Sequence, residues 1–115
     1  MINLRNRVNL IGNLGTDPEV RHFDGGKTVA NIRIATSDSY KNSDGEKVTN
    51  TQWHNLVAWG STALFVEKYL KKGNEIAIEG KLVHRSYEDK EGNKRYVTEV
   101  MVNEILMLRS KNNNS

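Results

Sequence analysis

The chain has 115 residues, enough for one domain whose folding buries roughly 65% of the surface an unfolded chain exposes. It contains no Cys, which excludes disulfides and thiolate metal ligands, and no apolar run approaches the ~20 residues of a membrane span, so a soluble cytoplasmic protein is expected. The net charge of +3 rests largely on Arg109 and Lys111 near the C-terminus; a nucleic-acid partner has to be argued from where the other basic groups fall.

Residues 7–14 read as a strand, stopped by Gly15-Thr16-Asp17-Pro18. A short strand over 19–23 ends at Asp24-Gly25-Gly26, a turn signal because Gly reaches positive φ without penalty. Over 27–37 the alternation is clean, with Ala30, Ile32 and Ile34 on one side and Asn31 and Arg33 on the other. Residues 38–50 are polar and turn-rich and predict a long loop or a mobile hairpin. A strand over 52–59 follows. The period then changes: Ser61 is a plausible N-cap, Ala63, Val66 and Leu70 recur at helical spacing, Lys71-Lys72 suit the last turn, and Gly73 stops a helix over roughly 61–72. A strand over 74–87 has Ile76, Ile78 and Leu82 as its core face. The turn Asp89 to Asn93 leads to a last strand over about 95–108, and 109–115 are expected to form a disordered polar tail outside a 1–108 domain.

Strands and helices do not alternate, so a doubly wound fold is excluded, and one helix among so few strands disfavours an immunoglobulin sandwich. Five principal strands with a single helix after the third predict an all-β, five-stranded Greek-key barrel of the OB type, the helix lying between the third and fourth barrel strands.

Period-two parity then locates a surface. Trp53 and Trp59 are six residues apart on one strand and share a side with Asn55 and Val57, opposite Gln52, His54, Leu56 and Ala58. On the strand over 74–87, Lys81, Val83, Arg85 and Tyr87 share the side opposite the predicted core. Tyr40 begins the polar stretch beside Lys41. Four aromatics thus point outward or lie on a loop, each with Arg or Lys nearby. Exposed rings interleaved with cations suit an unpaired nucleic-acid strand, because every base has a π-face and cations meet the phosphates. On pattern alone, packing of either Trp into a core stays open. So do a barrel that binds a protein and one that prefers RNA.

The same residues carry a resemblance. Asn9 to Arg21, Val29-Ala30-Asn31-Ile32 with Ala35-Thr36-Ser37, Thr51-Gln52-Trp53-His54, Tyr69 to Gly73, Ile78 to Leu82 and Tyr96 to Val100 follow one another as they do in the bacterial single-stranded-DNA-binding (SSB) family, which the chain resembles over about 5–108. The resemblance implies an OB-fold homotetramer that binds single-stranded DNA with little sequence preference, protecting it and removing its secondary structure during replication, recombination and repair, in association with the nucleoid. Its base-stacking positions fall on Tyr40, Trp53, Trp59 and Tyr87. Tyr stands at two places where family members often have Trp, and Trp at one where they often have Phe. Its basic contacts fall on Arg7, Arg21, Lys72 and Arg85, and parity and proximity add Arg33 and Lys41. His54 falls on a subunit-interface position. The family commonly ends in an acidic tip that recruits replication and repair enzymes; after Glu104 this chain has no acid, so that recruitment is not expected.

No enzyme, cofactor or metal is expected. His22, His54 and His84 are far apart without ligand spacing, Asp17 and Glu19 are explained by the turn at Pro18, and no nucleophile motif occurs. Gly12 is expected to permit close strand approach or a bulge, and Gly15 a turn.

Overall fold

The computed structural model describes residues 4–109. Six strands and one helix follow in the order β1 (Val8–Leu14), β2 (Glu19–Phe23), β3 (Lys27–Lys41), β4 (Lys47–Trp59), α1 (Gly60–Tyr69), β5 (Glu75–Glu88) and β6 (Lys94–Arg109). Pairing runs β1-β5-β6-β4-β3-β2, and a further β1–β3 contact at Asn13↔Ala35 and Leu14↔Ile34 joins the ends. The closed circuit therefore has five strands, with the short β2 hydrogen-bonded to β3 outside it. All pairs are antiparallel except β4–β6, as expected where the chain crosses through α1 before returning.

Strict alternation explains the closure. Ala30, Ile32 and Ile34 of β3, Leu56 and Ala58 of β4, Ile76 and Ile78 of β5, and Val100 and Val102 of β6 all point inward and are buried. Ala63 and Val66 of α1 and Leu70 at its C-cap, at helical spacing, pack onto the same cluster and close one end of the barrel. Truncating a fully buried member such as Ile34 to Ala is expected to cost about 2–5 kcal/mol, the transfer loss plus the cavity. At Gly12 a Cβ would collide with the Ala35 carbonyl, so the seam between β1 and β3 needs the close approach that only Gly allows.

Two expectations change. The helix is shorter than 61–72: it begins at Gly60, its N-cap position is Trp59 without a side-chain hydrogen bond, and Ser61 lies within its first turn. It ends at Tyr69, so Lys71 and Lys72 are in the following turn and only Lys68 occupies the last helical turn. The reason is Asn74, a buried residue whose Oδ1 accepts the Lys71 N–H at 2.7 Å while its backbone carbonyl accepts the Leu14 N–H at 3.0 Å. That knot pulls the chain out of the helix and into β5. Second, Leu82 is exposed: the core face of β5 ends at Ile78, and beyond Gly80 the strand leaves the barrel. Of the loop and the hairpin left open for residues 38–50, the structure has the hairpin. β3 and β4 stay in unbroken register to Lys41↔Lys47, so only 42–46 turn.

Two arms thus project from the barrel, β3–β4 and β5–β6, closed by the same device. Asn42 Oδ1 accepts the Asp44 and Glu46 N–H groups, and Asp89 Oδ1 accepts those of Glu91 and Asn93. Gly45 and Gly92 supply the positive φ in each. Arg109 ends β6; the rest of the expected tail, 110–115, lies outside the described residues.

Candidate nucleic-acid interface

Register across the sheet assembles one outer surface from four strands. Val29↔Trp59, Asn31↔Val57, Arg33↔Asn55 and Ala35↔Trp53 are consecutive same-side pairs of β3 and β4. Val57↔Met101 carries that side onto β6, and Met101↔Lys81, Glu99↔Val83, Val97↔Arg85 and Arg95↔Tyr87 carry it onto β5. β2 adds Arg21 beside Val29 and Glu19 beside Asn31. Both indoles and the Tyr87 phenol lie on this surface and are about half exposed (Trp53 50%, Trp59 48%, Tyr87 49%).

Each ring is held differently. Trp53 lies against Gly15, where a Cβ would collide with its six-membered ring, and the Arg33 guanidinium sits over the indole at 4.9 Å from the ring centroid. Gly15 does more than the expected turn: its missing side chain seats the indole, and its N–H donates to the Arg33 carbonyl at 3.0 Å. Trp59 forms one wall of a cavity of about 290 Å³ lined by Val29, Val57, Val83 and Met101, with Asn31, Arg85 and Glu99 as its polar members. That is near the lower end of ligand-pocket volumes. Tyr87 has Arg85 at 6.0 Å from its centroid. Arg85 in turn pairs with Glu99, Nε to Oε1 at 2.7 Å, and this carboxylate raises the guanidinium pKa still further above its ordinary value.

The other named residues are distributed around this surface. Arg33, Arg85 and Arg21 lie on it, and Lys41 is on the same side at the tip of the β3–β4 arm. Lys72 is exposed at the rim, its backbone N–H donating to Asp17 Oδ1 at 2.8 Å. Arg7 is exposed immediately before β1. Tyr40 is set apart. It is 52% exposed, but it pairs with Val48 and by parity takes the reverse side of the arm, with His54. His54 is half-buried there, its Nε2 at 3.0 Å from Thr36 Oγ1. Sequence reading passed over Gly15, Asn31 and Glu99. Glu99 was accessible to the same parity argument that selected Arg85; the packing of Gly15 on Trp53 has no local signal.

Among the described residues no cluster of three or more His, Cys, Asp or Glu side chains is arranged to hold a metal ion, and no helix is long and apolar enough to cross a membrane. A closed five-stranded Greek-key barrel with a capping helix and an outer sheet of rings and cations defines the OB class. The family model described as the single-strand binding protein family matches residues 5–108, and the chain belongs to that family. It is 45% identical over 111 residues to Single-stranded DNA-binding protein 1 of Xylella fastidiosa, covering 96% of this chain and 82% of that one. The protein of the same name from Chlorobaculum tepidum is 46% identical over 107 residues, 92% of this chain and 66% of the relative, so about a third of that relative lies outside the match. Among solved structures, the Plasmodium falciparum SSB in complex with single-stranded DNA superposes with a TM-score of 0.82 over 94% of this chain and 98% of that one, at 24% identity, a likeness of fold. The single-stranded DNA binding protein of Thermus aquaticus, as a deletion mutant, gives 0.79 at 28% identity, over 92% of this chain and 51% of that one.

Proposed function

We propose that this protein binds single-stranded DNA with little sequence preference across the outer surface of β3, β4, β6 and β5, protecting the strand and removing its secondary structure. The observation that carries the reading is the placement of Trp53, Trp59 and Tyr87 on one accessible side with Arg21, Arg33 and Lys41. Bases stack on the three rings, each stack contributing about 1–3 kcal/mol, and phosphates run along the cations, with Lys72 and Arg7 extending the track. Arg85 belongs to the binding surface through Tyr87. Tyr40 meets the strand only after it passes over the edge of the β3–β4 arm. The proposal contains no chemical step and no cofactor. The setting is replication, recombination and repair at the nucleoid.

The working unit in this reading is a homotetramer. Ile11, Leu106 and Leu108 are exposed together on β1 and β6, beside a groove of about 650 Å³ also lined by Leu10, Ile78 and Ile105. An apolar patch of this kind favours a protein partner, and a second copy is the simplest one. His54 is proposed to take part in a subunit contact on the reverse side of the arm.

The test is a titration with poly-dT at two salt concentrations, read by intrinsic fluorescence with the particle mass measured beside it. Quenching of the indoles is expected, with affinity falling as salt rises at a slope near −0.7 per phosphate neutralised. Unquenched fluorescence with no salt-dependent complex would reject the proposal. A stronger response to poly-rU would transfer the site to RNA.

A further inference from the structure

We propose that Glu99 is a positioning residue of the binding surface: it neutralises Arg85 and holds the guanidinium beside Tyr87, so that Arg85 serves the ring instead of anchoring a phosphate. This rests on the single-strand reading of that surface.

The geometry is a diagonal across the β5–β6 arm. Glu99 is opposite Val83, and Arg85 is the next residue along β5 on the same side. Arg85 Nε donates to Glu99 Oε1 at 2.7 Å and a terminal nitrogen reaches Oε2 at 3.5 Å, so the contact has one strong leg and one weak one. The carboxylate is the fixed half of the pair, with its side chain only 12% exposed against 54% for Arg85. One step further along β5, the Tyr87 ring lies 6.0 Å from the guanidinium carbon. Carboxylate, guanidinium and phenol therefore form a row, with the less exposed charge at its inner end and the ring at its outer end.

Arg33 supplies the contrast. It also rides over an indole, at 4.9 Å, yet among the described residues it forms no ion pair. A cation without a fixed counter-charge releases counterions when a phosphate displaces them, whereas a preformed ion pair has little net charge to offer. Glu99 also lies at the centre of the surface, in the row of Arg33 and Asn55. A carboxylate there repels phosphates and leaves the sheet floor to bases.

Salt-dependent titration with oligo-dT tests this on wild type, Glu99→Gln and the double variant Arg85→Met/Glu99→Gln, and on Tyr87→Ala with and without that double change, with folding checked by far-UV circular dichroism. Glu99→Gln releases Arg85, so the salt slope is expected to steepen by about 0.7, and the double variant to return to the wild-type slope. The double variant is also expected to bind about two- to five-fold more weakly, the loss of an exposed cation–π contact, and that loss is expected to vanish when Tyr87 is already Ala. A double variant about 0.7 shallower than wild type would make Arg85 a phosphate anchor and overturn the inference, as would an unchanged slope for Glu99→Gln. Each comparison decides alone if the other protein fails to fold. Wild type that does not bind oligo-dT would instead remove the reading beneath it.

Discussion

Two of the surfaces on which the barrel exposes large apolar side chains differ in their chemistry. On the β3-β4-β6-β5 surface they are Trp53, Trp59 and Tyr87, interleaved with Arg21, Arg33, Lys41 and Arg85. On the β1-β5-β6 side they are Ile11, Leu106 and Leu108, and the charges bordering their groove are Glu79 and Glu104. Flat rings with cations fit bases and phosphates. Aliphatic side chains bordered by carboxylates repel a polyanion and pack best against another apolar surface. In the proposed reading the same barrel separates nucleic-acid binding from self-association, and exposure alone does not tell the two apart.

The separation can be broken from either side. The largest expected effect is on assembly: Leu106→Asp is expected to reduce the particle mass by multi-angle light scattering, with the barrel's far-UV spectrum unchanged. An unchanged mass would place the subunit contact elsewhere. Next come the rings. Trp59→Ala is expected to weaken oligo-dT binding about 5- to 150-fold without changing the mass, the value of one lost stack. Gly15→Ala is expected to act through Trp53, because the new methyl group occupies the seat of the indole; a shifted tryptophan emission together with weaker binding would show it, and an unaltered emission would refute the seat. Tyr40→Ala is expected to be the mildest of the ring removals, since Tyr40 is on the reverse side of its arm. A loss equal to that of Trp59→Ala would mean that the strand wraps the arm completely.

The smallest effect is confined to the turns. The Asn93 backbone N–H and then Arg95 lower the Asp89 pKa below the ordinary carboxylate range. A carboxylate with a depressed pKa stabilises the fold above its unfolded pKa and ceases to as pH falls through the folded value. Amide exchange at Glu91 and Asn93 is therefore expected to accelerate below the ordinary carboxylate range, while Asp44 and Glu46, held by the neutral Asn42, are unaffected.

The barrel was legible because one side of each strand is sealed. Ala30-Ile32-Ile34 and Ile76-Ile78 alternate cleanly since every second residue enters the core, and the same parity placed both Trp residues and Arg85. Where both sides meet water, that signal disappears. Residues 38–50 leave loop and hairpin both open because neither side of the β3–β4 arm is buried; hydroxyl pairs Ser37–Thr51 and Ser39–Thr49 line it instead. Leu82 was misassigned for the complementary reason, since periodicity continues past the point where β5 leaves the barrel. The helix end was hidden because Asn74 fixes it through a contact with β1.

The most direct measurement isolates each indole: Trp53→Phe and Trp59→Phe leave one tryptophan apiece, and each protein is titrated with oligo-dT while its emission is followed. Quenching in both is the expected result, because both rings border the same single-strand path. An emission that stays constant in both, with the oligonucleotide bound, would contradict the account.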